Sequence, residues 1–79
     1  MKLEAFIKLM EDAQHSSPVV TRHHVYQHIA AAGRIMRLRG EGTQDLYDWL
    51  LGAKKECPAG EVKEAYSRAL NLLFAMTAL

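Results

Sequence analysis

Apolar residues recur at three- and four-residue spacing along four segments of the chain, and no segment shows the two-residue alternation of a β-strand. This spacing places the apolar side chains of each segment on one face of an α-helix. The predicted core stripes are Leu3, Phe6, Ile7 and Met10 in the first segment; Val25, Ile29, Ala32 and Met36, flanked by Ile35 and His28, in the second; Leu46, Trp49, Leu50 and Ala53 in the third; and Val62, Ala65, Tyr66, Ala69, Leu72, Leu73 and Met76 in the fourth. Helix-breaking residues separate the segments: Ser17-Pro18, Gly40-Glu41-Gly42 and Cys57-Pro58. The pattern predicts an all-α fold, a compact bundle of about four helices at about residues 2–14, 18–39, 44–55 and 58–78.

The length of 79 residues allows a single helical domain, residues 1–79. A domain this small hides only about 60% of its unfolded surface, so its core supplies little net stability. Disulfides cannot add to that stability because Cys57 is the only cysteine, and a lone thiol is typical of a reducing compartment. We therefore expect a cytoplasmic protein that completes its fold as a homodimer or higher oligomer, or by binding another protein.

The residues at the predicted helix ends favour particular caps. Ser17 is the expected N-cap of the second helix, with Pro18 at the first helical position, where a missing N–H costs nothing. Gly40 suits the left-handed position that ends many helices. Thr43 is the expected N-cap of the third helix, and Cys57-Pro58 is expected to open the fourth in the way that Ser17-Pro18 opens the second.

The C-terminal stretch Leu70–Leu79 loses the polar face that the fourth helix has before it. Phe74 falls on the angular sector that Lys63 and Ser67 occupy earlier in the helix. Either this helix is the enclosed centre of a monomeric bundle, or its second apolar face binds a second subunit or another protein. We favour binding because three short helices can scarcely cover a fourth on all sides. The predicted interface residues are Leu70, Phe74, Met76 and Leu79, with Tyr47 and Trp49 as secondary candidates.

Charge is unevenly distributed although the formal net charge is only +1. Residues 13–40 contain four arginines and no acid, whereas residues 41–79 contain four basic residues and six acids. We expect Arg34, Arg37 and Arg39 to steer an acidic protein partner toward the chain. Two alternatives remain: the arginines contact the phosphates of a nucleic acid, or they only complement the negative end of their helix dipole.

The segment Thr43–Gly52 resembles the recognition helix of repressor-type helix-turn-helix proteins. The resemblance implies a DNA-binding regulator that places this helix in the major groove as a dimer. The sequence departs from the motif at the partner helix, because Gly33 lies ten residues before Thr43 and the turn of the motif spans only about three or four residues. Asp45 and Asp48 would also repel phosphates. DNA binding is therefore the alternative function.

Candidate metal ligands and nucleophiles are few. His24 and His28 share one helix face and could ligate one ion, but only His15 and Cys57 remain as further ligands, and no spacing brings them close. Cys57 has no evident base to activate it. The sequence contains neither a glycine-rich phosphate loop nor paired carboxylates on an apolar face. We therefore predict no metal, no cofactor, no small-molecule substrate and no catalytic residue.

These observations predict a small non-catalytic module that binds and sequesters or escorts a protein partner, as an inhibitor, antirepressor, adaptor or secretion chaperone does. Small helical chains of this type are frequent among phage- and plasmid-encoded regulators, which is an argument from type alone. We expect no insertion into a membrane, because the longest apolar stretch, residues 69–79, is shorter than the roughly 20 residues that span a bilayer.

Overall fold

A computed structural model describes residues 2–77, which form four α-helices and, within that range, no strand. The helices are α1 (Lys2–Ser16), α2 (Val20–Leu38), α3 (Thr43–Glu56) and α4 (Glu61–Thr77). They pack into a bundle of 31 × 25 × 24 Å, in which α1 contacts α2 and α3 contacts α4 most extensively. The predicted compact all-helical fold is confirmed. No helix in this part of the chain is both long and apolar enough to cross a bilayer.

Side-chain contacts show how the helices run relative to one another. Arg37, near the end of α2, reaches Glu4 at the start of α1. His23, near the start of α2, reaches Gln14 near the end of α1, so these two helices are antiparallel. The pair α3 and α4 is also antiparallel, and α2 and α4 begin at the same end of the bundle. As a result, α2 and α3 run in opposite directions.

One face of each helix contributes to the core. The large side chains that are fully buried are Phe6, Met10, Ile29, Leu46, Leu50 and Leu73. In α1 the predicted apolar face is confirmed, since all four of its residues are buried: Leu3, Phe6, Ile7 and Met10. In α4 the pattern places Leu72 in the core, but the structure buries Leu70 and exposes Leu72.

The buried face of α2 is rotated relative to the predicted one. The sequence pattern places Ala32 and Met36 on the central stripe, but both are only half-buried. The buried residues of α2 are Val25, Tyr26, Ile29, Ala30 and Gly33. The rotation has a physical cause, because α2 packs against all three other helices and its small residue Gly33 lies directly against Ile7 of α1.

Two helices begin later than the sequence predicts. The first backbone hydrogen bond of α2 runs from the His23 N–H to the Val19 oxygen at 3.1 Å, so Ser17 is not the N-cap and Pro18 precedes the helix. The Ser17 hydroxyl instead donates to the same Val19 oxygen, at 3.3 Å. Likewise, α4 begins at Glu61 and not at Pro58, because residues 58–60 form a turn before it.

The connection between α2 and α3 is a tight turn of four residues. Gly40 has a φ of +76°, which confirms the predicted left-handed end of α2. Gly42, not Thr43, is the N-cap of α3, and its N–H donates to the Asp45 carboxylate at 3.0 Å. This hydrogen bond anchors the start of α3, and the carboxylate lies favourably near the positive end of the helix.

Candidate functional site

Phe74, the main predicted interface residue, lines a hollow between α3 and α4. Its side chain is 62% exposed, although its neighbour Leu73 is fully buried. The hollow has a volume of about 240 Å³ and is lined by Thr43, Gln44, Tyr47, Phe74 and Thr77, which together are called the Phe74 surface. The structure therefore brings two predicted interface residues together, since the half-buried Tyr47 lies beside Phe74.

The other predicted interface residues do not join the Phe74 surface. Leu70 is buried in the core of its own chain and does not lie on the exposed face where the sequence pattern places it. Met76 packs, half-buried, against that core. Leu79 lies outside the described residues. Trp49 lies on the side of α3 that faces α2, away from Phe74.

Trp49 stands in a groove between α2 and α3. Its ring centroid lies 5.7 Å from that of His28 on α2 and 6.4 Å from that of Tyr66 on α4. A hollow of about 310 Å³ lies on the α2 side of the indole, and a second of about 420 Å³ lies along α3. The two hollows with Trp49 between them form the Trp49 groove. Its lining includes His28, Ala31, Ala32, Ile35 and Met36 of α2, Arg39 at the C-cap of that helix, and Asp48, Gly52, Ala53 and Glu56 of α3.

Two exposed apolar residues near the end of α2 were not predicted from the sequence. Leu38 is 84% exposed and Ile35 is 50% exposed. The signal was present, because these residues form a row with His24, His28 and Ala31 at spacings of four, three, four and three. A period of 3.5 residues is typical of a face that packs against another helix. The core stripe predicted for α2 obscured this row, since it takes Ile35 as its own edge.

The arginines of α2 are largely paired with acids of neighbouring helices. Arg34 lies 3.3 Å from Glu11, and Arg37 lies 3.8 Å from Glu4, both on α1. Arg39 has no such ion pair within residues 2–77. The basic helix therefore offers less free positive charge than the sequence pattern indicates, and most of what it offers lies at its C-terminal end.

Arg22 is the arginine that the fold encloses. Its guanidinium lies 2.5 Å from a Glu61 oxygen and 3.1 Å from a Glu64 oxygen. Burial acts to lower the pKa of Arg22, but hydrogen bonds and charge attraction from the two carboxylates outweigh it, and the pKa is raised above its ordinary value. The charged side chain therefore ties the start of α2 to the start of α4.

The reactive side chains beside the Trp49 groove interact with their own fold. The Cys57 thiol donates to the Ala53 oxygen at 3.1 Å. Burial raises the pKa of the Tyr66 phenol, and the nearby Cys57 raises it further, so the neutral phenol is favoured. Among the residues that the structure describes, no group of three or more His, Cys, Asp or Glu side chains is placed to hold a metal ion. The groove offers mainly apolar and aromatic contact area.

Comparison of the chain with protein-family models, with curated proteins and with solved structures found no match. The Phe74 surface and the Trp49 groove are thus the features from which a function can be inferred. Each combines an aromatic residue and apolar contact area with polar groups at the edge, which is the arrangement found in protein–protein interfaces.

Proposed function

We propose that the chain is a cytoplasmic, non-catalytic interaction module that binds a protein partner and sequesters or escorts it. The exposure of Phe74 is the observation that carries this proposal, because this aromatic side chain faces outward on a helix whose adjacent leucine is fully buried. Aromatic residues that become desolvated on binding contribute much of the energy of an interface. Inhibitors, antirepressors, adaptors and secretion chaperones all act in this way.

Phe74 and Tyr47 are the proposed anchors. Their rings line the hollow between α3 and α4, and Thr43, Gln44 and Thr77 supply polar groups around it. Such a hollow suits an apolar side chain of the partner, with hydrogen bonds at the edge to fix its orientation. Full burial of one aromatic side chain contributes about 1.5–3 kcal/mol, so a few such contacts are needed for stable binding.

Electrostatic steering of an acidic partner falls mainly to Arg39 in this proposal. Arg34 and Arg37 already pair with Glu11 and Glu4. The carboxylates therefore partly cancel the positive charge that these two arginines present to a distant partner. Unpaired charges at the edge of an interface change the rate of encounter more than the final affinity. We therefore expect an Arg39→Gln variant to bind its partner more slowly, with little change in the dissociation rate.

Self-association is the second part of the proposal. The chain is small and leaves four large apolar side chains well exposed: Val20, Ile35, Leu38 and Phe74. Ile35 and Leu38 lie next to each other on one face of α2, and a contiguous exposed apolar patch of this kind marks an interaction site. Homo-oligomers most often form two-fold dimers, so a homodimer is the expected state.

Affinity capture followed by mass spectrometry tests the role of Phe74. We expect the wild-type chain to retain a defined protein and the Phe74→Asp variant to lose it, with helicity by circular dichroism unchanged. Val20→Asp is the matched control, because Val20 is also an exposed apolar residue but lies at the start of α2, at the other end of the bundle. If wild type, Phe74→Asp and Val20→Asp all retained the same protein equally, Phe74 would not be an anchor of the interface.

Salt dependence distinguishes this function from DNA binding. Three arginines of α2 are paired with acids in the fold, so we expect weak retention on immobilised DNA or heparin. Strong retention that falls steeply with salt, and that persists in Phe74→Asp, would favour the DNA-binding regulator instead.

A further inference from the structure

The Trp49 groove has the shape and charge to pair with its own copy. We propose that it binds the same groove of a second copy of this chain in a two-fold dimer, in which α2 of each protomer lies over α3 of the other. This inference rests on the self-association part of the proposed function and assigns it a surface. In this dimer Arg39 pairs across the seam, so its steering of an acidic partner is confined to the monomer, and the Phe74 surface is left free for the protein partner.

The α2 side of the groove is built to contact another helix. Ile35 and Leu38 are exposed and continue the row of His28 and Ala31 with a period of 3.5 residues. Ala31 is small and lies at the middle of this row, so a second helix can approach α2 closely there. None of these residues is in the core of its own chain; His28 contacts Trp49, and Ile35 and Leu38 are left exposed.

The two long edges of the groove carry opposite charge. Arg39, the arginine of α2 without an ion pair within residues 2–77, lies on one edge. Asp48 and Glu56 of α3 lie on the other, and neither forms an ion pair within the same range. When two copies of such a groove face each other, the basic edge of one can lie against the acidic edge of the other, and the reverse.

A two-fold axis parallel to the helices makes that exchange. Such an axis places α2 of one protomer over α3 of the other, and each contact is made twice. Because α2 and α3 are antiparallel and joined by a short turn, Arg39 lies level with the start of α3, and Asp48 lies about one and a half turns further along α3. Arg39 of each copy therefore approaches the acidic edge of the other copy.

The alternative two-fold axis, perpendicular to the helices, is disfavoured by charge. It would place α2 directly on the α2 of the second copy, and residues 13–40 contain no acid. Arg39 of each chain would then face a helix without a carboxylate to pair with. Charged groups left without a partner across an interface oppose binding. Exchange of α2 with α3 is the arrangement that the charges favour.

Sedimentation equilibrium over a concentration series tests where the chains associate. We expect wild type to dimerise and Ile35→Glu to weaken the dimer about a hundredfold, since a charge would be buried at the seam. Phe74→Glu is the matched control, because Phe74 is equally apolar and exposed but lies outside the groove. Circular dichroism of both variants at low concentration checks that the fold is retained.

A charge exchange tests the α2-over-α3 arrangement. Arg39→Asp and Asp48→Arg should each weaken the homodimer at least about tenfold, because like charges then meet at both copies of the contact. An equimolar mixture of the two variants should form a heterodimer of near wild-type affinity. In that mixture both contacts are attractive: the new aspartate meets the new arginine, and the native Asp48 meets the native Arg39.

Four results would overturn this inference. One is a wild-type chain that stays monomeric at millimolar concentration, and another is a dimer that Ile35→Glu does not weaken. Failure of the two charge variants to form a heterodimer would reject the α2-over-α3 arrangement. A dimer lost in Phe74→Glu but kept in Ile35→Glu would move self-association to the Phe74 surface. The last three results leave the capture of a protein partner open, and affinity capture decides that separately.

Discussion

Gly33 of α2 lies so close to Ile7 of α1 that no side chain fits between them. A β-carbon built on Gly33 would stand 2.9 Å from the Ile7 Cγ1 atom, well inside van der Waals contact. Ile7 is itself a buried core residue, and its branched side chain has few alternative rotamers. The closest approach of α1 and α2 therefore depends on the absence of a side chain at this position.

Gly33→Ala should lower stability although alanine is the better helix former. The gain in helix propensity is about 1 kcal/mol, and overpacking of a tight core costs about 1–3 kcal/mol. We expect a net loss of about 1 kcal/mol by denaturant unfolding at a concentration where the chain is monomeric. Gly52→Ala is the matched control, since nothing lies within 4 Å of the point where its β-carbon would stand, and it should gain about 1 kcal/mol. Equal gains at both sites would contradict the close approach.

Leu73 and Phe74 should respond in opposite ways to truncation, although they are adjacent. Leu73 is fully buried, so Leu73→Ala should cost about 2–5 kcal/mol. Phe74 is mainly exposed, and Phe74→Ala should change the stability of the monomer by no more than about 0.5 kcal/mol. Urea unfolding followed by circular dichroism measures both. A large loss for Phe74→Ala would show that its ring belongs to the core.

The ion pairs of Arg22 should act as one unit. Arg22→Gln is expected to lower the midpoint of thermal unfolding, because Glu61 and Glu64 then lose their shared partner. Glu61→Gln should lower it as well; Glu64 is left unchanged because it also pairs with Arg68 at 2.9 Å. Combining the two changes should cost less than the sum of the separate losses, since both remove the same contact. Additive losses would show that Arg22 and Glu61 are not coupled.

Tyr66 should make the fold sensitive to alkaline pH. Its pKa is higher in the folded chain than in the unfolded one because burial disfavours the phenolate. The contribution of Tyr66 is therefore complete below the ordinary tyrosine pKa of about 10 and is lost as the pH rises through the higher folded value. We expect unfolding measurements above pH 10 to show a steeper loss of stability in wild type than in Tyr66→Phe. Parallel curves would indicate that the phenol is well solvated.

The face of α1 could be predicted because α1 buries a single stripe. The four residues of its predicted stripe, Leu3, Phe6, Ile7 and Met10, are all in the core. The face of α2 could not be predicted in the same way, because three helices contact it from different sides. Ala30 and Gly33 are buried by the approach of neighbours, a property that periodicity does not record.

The candidate sites were predicted only in part for a related reason. The outward position of Phe74 follows from its place in line with Lys63 and Ser67 on one helix. The pairing of Arg37 with Glu4 joins residues far apart in sequence and depends on how α1 and α2 align. Trp49 has helical spacing suited to the core, yet α2 leaves a groove beside it. Packing between helices decides such features, and a single sequence does not specify that packing directly.

The helices that pair most extensively are neighbours along the chain, and this has a kinetic consequence. Each of the two hairpins, α1 with α2 and α3 with α4, closes through a connection of only a few residues. Contacts between nearby residues are reached without a long search, so helical domains of this topology fold in microseconds to milliseconds. The first hairpin is complete in sequence by Leu38, and its contacts can therefore form before those that join it to the second hairpin.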